Sequence, residues 1–149
     1  MKRLSMLLGL ALILTVSLAA CGGGGSDEGE EGESEISEVA SEACTGTALT
    51  DTVKLPTGFP KPDAVTYVKQ SEAGPSTVVD GRYDGSLDDA YDDYQAAVET
   101  AGYDVLFDEK EDHDAEISYK TDGSSGQIAL REECGDSDKT YVHITNRPE

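Results

Sequence analysis

Two histidines and a run of carboxylates are the side chains of this 149-residue chain that first invite a chemical reading. His113 lies within Asp108-Glu109-Lys110-Glu111-Asp112-His113-Asp114, and His143 alternates with Val142 and Ile144 beside Tyr141. A histidine works as a general acid or base only with a partner in hydrogen-bond reach, and the sequence places no nucleophile next to either one. The carboxylate run offers hard oxygen ligands of the kind calcium takes, with Asp108, Asp112 and Asp114 as a loose set. It departs from the EF-hand pattern: counting from Asp108, the third position is Lys110, the sixth His113 and the twelfth Tyr119. A solvated connection over 108–116 is therefore the reading, and no metal ligand is assigned. The chain also lacks a glycine-rich phosphate loop, a Cys-x-x-Cys pair, a His-Glu-x-x-His helix and a Gly-x-Ser-x-Gly elbow. No catalytic residue and no cofactor is assigned, and the chain reads as a non-enzyme.

The three cysteines divide by position. Cys21 follows Leu18-Ala19-Ala20 at the close of an apolar stretch that begins after Lys2 and Arg3. A basic start, an apolar middle and small residues at a cut site are the requirements of a secretory signal peptide. With cysteine first after the cut, Leu18-Ala19-Ala20-Cys21 resembles the lipobox of a bacterial lipoprotein precursor, a likeness that covers about the first twenty-five residues. The resemblance implies that residues 1–20 are removed and that the Cys21 thiol carries a diacylglyceryl group, with acylation of the new amino terminus adding a chain such as palmitate. Two or three chains hold stably, since each buried methylene contributes about 0.8 kcal/mol and one chain is marginal. The implied address is the extracytoplasmic face of the cell membrane, with inner or outer membrane left open. An ordinary span is the competing reading, but the stretch between Arg3 and Cys21 is shorter than the roughly 20 apolar residues a bilayer core needs.

The charge balance narrows the partners. The chain carries 11 basic and 31 acidic residues, a formal net charge of -20. Loss of Lys2 and Arg3 with the signal leaves 9 basic residues against the same 31, or -22. Nucleic acid is excluded as a partner, because its phosphates are met by basic side chains. An electrostatic hold on anionic lipid is equally disfavoured, so lipid rather than charge must tether the chain. Residues 21–43 combine Gly22-Gly23-Gly24-Gly25-Ser26 with eight acids and no base. Such a segment buries too little apolar area to offset its ordering entropy, which predicts a disordered tether beyond the lipidated cysteine.

Residues 44–149 suit one small domain with a thin core of Val, Ile, Leu and Tyr. With Cys21 taken by lipid, Cys44 and Cys134 form an even pair in an exported setting, which predicts a disulfide. Neither has a second Cys or His at metal-ligand spacing. After Asp84-Gly85, Ser86 caps a helix in which Leu87, Ala90, Tyr91, Tyr94, Ala97, Val98 and Ala101 recur at helical spacing, and Gly102 ends it. Strands are expected over 64–70, 76–83, 103–108, 115–119, 127–133 and 140–146, each with one apolar face. Leu55-Pro56-Thr57-Gly58-Phe59-Pro60-Lys61-Pro62 should run extended and lay Leu55 and Phe59 against the sheet. The predicted fold is α+β, order β-β-α-β-β-β-β: an antiparallel sheet with one amphipathic helix packed on one face and the other face wet.

Two classes of function fit, and a third, a small hydrolase or transferase, has no motif to speak for it. One is a non-enzymatic interaction module of the cell envelope that meets another envelope protein through its sheet or an edge strand. The other is an extracytoplasmic protein that binds a small ligand or a metal ion such as calcium. An exposed apolar patch on the sheet favours the first, and a concave polar pocket around His113 or His143 favours the second. The oligomeric state is not legible.

Overall fold

The computed structural model describes residues 28–135 and 138–149, with the side chains of the first helix described from Ser37 onward. The signal and Cys21 lie outside the described residues. Eight elements follow in order: α1 (Glu28–Thr45), β1 (Val65–Ala73), β2 (Ser76–Tyr83), α2 (Leu87–Thr100), β3 (Asp104–Lys110), β4 (Asp114–Lys120), β5 (Ser124–Arg131) and β6 (Thr140–Pro148). The six strands form a single sheet in the order β1-β2-β6-β5-β4-β3, antiparallel throughout. From β1 onward the element order is the one expected.

The turns that set this register follow from local chemistry. Ala73 pairs with Ser76, so Gly74-Pro75 is a two-residue turn, and Gly74 has φ 61, the sign a type II′ turn requires at its first position. Ser86 caps α2 as expected, its hydroxyl accepting from the Asp89 backbone N–H at 3.2 Å. Gly102, at φ 76, ends it. From its place after β2, the helix carries the chain to β3 at the far edge of the sheet.

The core lies on one face of the sheet. Val79, Ile117, Tyr119, Ile128, Leu130, Val142 and Ile144 are fully buried there with Ala90, Tyr94 and Val98 of α2. Leu55 and Phe59 join them, and the Phe59 ring meets Tyr119 edge to face at 5.6 Å. Gly126 pairs with Tyr119, and a Cβ there would collide with the Thr145 carbonyl and the Tyr119 ring. The Tyr67 and Tyr94 hydroxyls are buried without a hydrogen-bond partner, which costs on the order of 1–3 kcal/mol each. Burial holds the Tyr67 hydroxyl up at about 12.

Two expectations are corrected. The tether does not reach 43: α1 is helical over Glu28–Thr45, and the domain therefore starts before Cys44. Composition missed this because the helix owes its place to tertiary contacts. Ala40, Ala43 and Cys44 are buried against Tyr141, Lys69 pairs with Glu42 at 2.8 Å, and Cys44 is bonded to Cys134. Glutamate is also a good helix former and suits the positive end of the helix dipole. The second correction is that the domain has two helices rather than one. The sheet face expected to be wet is partly covered, because α1 lies over β1, β2 and β6.

The disulfide between Cys44 and Cys134 is present as expected, with Cα atoms 5.3 Å apart and the two cysteines 90 positions apart in sequence. In the chain-entropy view a loop of that length stabilises the fold by about 4 kcal/mol. No described helix is long and apolar enough to cross a membrane.

Candidate ligand groove

Strand alternation puts every second residue on the face opposite the core. In β6 these are Tyr141 and His143, in β2 Val78 and Asp80, in β5 Ala129 and Arg131, and in β1 Lys69 and Ser71. A register shift between Tyr67 and Lys69 lets β1 place Tyr67 in the core and Lys69 opposite Asp80 on the outer face. Together with Val39 of α1, these residues line a groove of about 390 Å³ between the helix and the sheet.

At the floor of the groove is a buried carboxylate. Asp80 is 3% exposed, and its Oδ1 accepts from the Tyr141 hydroxyl at 2.6 Å and from His143 Nδ1 at 2.7 Å. Because a carboxylate only accepts, Nδ1 carries the ring proton and Nε2 is left as the nitrogen available for other contacts. The same clamp orients histidines that bind metals or move protons, by holding one tautomer and one ring direction. Burial, reinforced by the bond to Asp80, drives the Tyr141 hydroxyl far above its usual range, so it stays protonated and donating.

Two cations flank this cluster. Lys69 donates to Glu42 of α1, and that bond raises its pKa. Arg131 stands opposite Tyr141, and among the described residues its nearest carboxylate, Glu133, is 3.9 Å away. The apolar lining comes from Val39, Val78, Ala129 and the Tyr141 ring.

The other residues singled out from sequence fall elsewhere. His113 sits in the β3–β4 turn, its Nδ1 2.9 Å from Glu132 Oε2, and that contact raises its pKa. A shallow depression there involves Asp114, Arg131, Glu132 and Glu133. The acidic connection is shorter than expected, because β3 runs through Lys110. Asp108 is a strand residue that accepts from the Tyr91 hydroxyl at 2.6 Å, and that bond lifts the tyrosine to about 12. Asp108, Asp112 and Asp114 do not converge, and no group of three or more His, Cys, Asp or Glu side chains is arranged to hold a metal among the described residues.

Sequence reasoning placed His143 on the outer face beside Tyr141 and missed Asp80, Lys69 and Arg131. One signal was present. Asp80 interrupts the β-branched run Thr77-Val78-Val79, and a lone acid inside a strand of that kind must find a partner. That the partner is His143 depends on β2 pairing with β6, 63 residues further along the chain.

A second exposed feature lies at the sheet edge. Leu106 and Phe107 of β3 are 63% and 51% exposed, at a register shift between Val105 and Phe107.

Comparison with known proteins is sparse. No family model matches the chain, and no curated protein matches it. Among solved structures, CalU16 from Micromonospora echinospora is similar at 14% identity and a TM-score of 0.35, over 56% of this chain and 68% of that one.

Proposed function

We propose that the chain is the precursor of a lipid-anchored protein on the extracytoplasmic face of the cell membrane, whose folded domain binds a small ligand without transforming it. The observation that carries the binding part is the Asp80–His143–Tyr141 cluster under a groove walled by α1. A buried carboxylate held by two side chains, one of them a histidine with an unengaged nitrogen, is a costly arrangement for a thin-cored domain to keep for packing alone. The anchor rests on Leu18-Ala19-Ala20-Cys21.

Two measurements on the native chain test these parts separately. Metabolic labelling with an alkyne fatty acid should mark the wild type and leave Cys21→Ala unlabelled; equal labelling removes the anchor. Native mass spectrometry of protein taken from its own membranes should show a small-molecule adduct that His143→Ala loses. An adduct in neither form, or in both alike, counts against the groove.

A second reading has its own observation. Leu106 and Phe107 make an apolar, unpaired strand edge, a surface suited to contact with another envelope protein by strand addition. A photo-crosslinker at Phe107 should then capture one partner in intact cells that the same group at Asp122 does not. Identical capture from both positions would dismiss it.

A further inference from the structure

The groove gathers two of the few cations of an acidic chain. The chain holds 31 acids against 11 bases. Yet among the nine residues lining the groove are Lys69 and Arg131 with one carboxylate, Asp80, which is buried and already accepts two hydrogen bonds. In a protein this acidic, it is a place where an anion finds cationic donors, although Glu38, Glu42, Glu133 and, opposite Arg131 on β4, Asp114 stand at its border. We propose, building on the groove as the binding site, that its ligand is a small organic carboxylate with an apolar body, clamped through Arg131.

Arg131 rather than Lys69 is assigned the clamp on geometry. Lys69 is tied at 2.8 Å to Glu42, whereas the contact of Arg131 with Glu133 is at the outer limit of an ion pair, 3.9 Å. A partly exposed pair of that length contributes little and exchanges readily. The guanidinium fork matches a carboxylate with two parallel N–H bonds, which an ammonium cannot do. Its surroundings fit the rest of such a ligand. The Tyr141 ring is its cross-strand neighbour and Ala129 is on its own strand, so an apolar body bound at Arg131 would lie along them toward Val78 and Val39. His143 Nε2 then meets the ligand's edge. Neutral, it accepts from a hydroxyl or N–H of the ligand; protonated, it adds a further positive donor. Glu42, Glu38 and Glu133 border the site and favour a single anionic group over several, since each further negative charge would face one of them.

Benzoate, benzyl alcohol and benzylamine form a matched set of probes with one ring and three head groups. Each is titrated into the full chain in detergent micelles while the side-chain NMR signals of Arg131, Tyr141 and His143 are followed. Benzoate should shift all three saturably, at least tenfold more tightly than benzylamine. Arg131→Gln should lose that tenfold, and Arg131→Lys should recover only part of it. Equal affinity for the three probes, or a preference for benzylamine, would overturn the carboxylate class while leaving the groove as a binding site. Absence of any shift with all three probes would overturn the groove reading itself.

Discussion

The two faces of the sheet are made by alternate residues of the same strands, and they do opposite things with them. On the inner face Val79, Ile128, Leu130, Val142 and Ile144 are wholly buried, and close packing of apolar side chains is their contribution. On the outer face Asp80, Ala129, Arg131, Tyr141 and His143 occupy the intervening positions and line a groove, in which Asp80, Tyr141 and His143 are hydrogen-bonded together. Stability and chemistry are thus separated by one residue of register. The means of holding the helices differ too. α2 is held by its apolar stripe, with Leu87, Ala90, Tyr94 and Val98 buried, whereas α1 contributes a small patch, Ala40, Ala43 and Cys44, and relies on a covalent bond.

The largest expected effect breaks the outer side. Cys44→Ser with Cys134→Ser should lower stability by about 4 kcal/mol, the loop-closure term for a bond of this span. Amides of α1 should exchange early while those of β5 and β6 remain protected. An unchanged denaturation midpoint with α1 still protected would mean that the helix is held by its apolar patch alone.

Next, Ile144→Ala should cost about 3 kcal/mol, within the range for emptying a packed core site. Val78→Ala on the outer face should cost below about 1 kcal/mol, because that side chain is only partly buried. Comparable losses in urea titrations would erase the distinction between the faces.

The inner face also predicts an alkaline limit. Tyr67 and Tyr119 have raised pKa values through burial. Above pH ~10 the unfolded chain therefore sheds these protons before the folded one does, and binds fewer of them. Stability should be level below pH ~10 and fall above it by about 1.4 kcal/mol per pH unit for each such tyrosine, until the folded value is reached. A flat profile to pH ~12 would show that these hydroxyls ionise in the folded state as freely as in water.

The smallest effect sharpens the same contrast. Tyr94→Phe removes an unpartnered buried hydroxyl and should raise stability by about 1 kcal/mol. Tyr141→Phe, which strips a donor from the buried Asp80, should lower it by a similar amount. Thermal melts of the two variants moving in the same direction would contradict the difference between the two tyrosines.

How much of this was legible varies by element. α2 could be read nearly residue for residue, because its cap, its stripe and Gly102 are all local signals. β4 and the β1–β2 hairpin were plain from alternation, although β1 runs three residues past its expected end at 70, to Ala73. α1 was not, since a glutamate-rich segment looks like a solvated spacer until Cys134 and Lys69 are known to lie against it. His143 could be assigned to the outer face from its neighbours, but its partner could not be named.

By itself, then, the sequence determined the alternation of the strands and the α2 helix, because each follows from side chains close in the chain, and it pointed to the pairing of Cys44 with Cys134 once Cys21 was set aside as the lipidation candidate. The strand order β1-β2-β6-β5-β4-β3, the seating of α1 and the meeting of Asp80 with His143 were decided only in three dimensions. The reason is physical: antiparallel pairing is satisfied by any neighbour with a matching apolar face, so local pattern specifies which residues point inward. Which strand lies beside which is settled by the combined burial of the whole sheet.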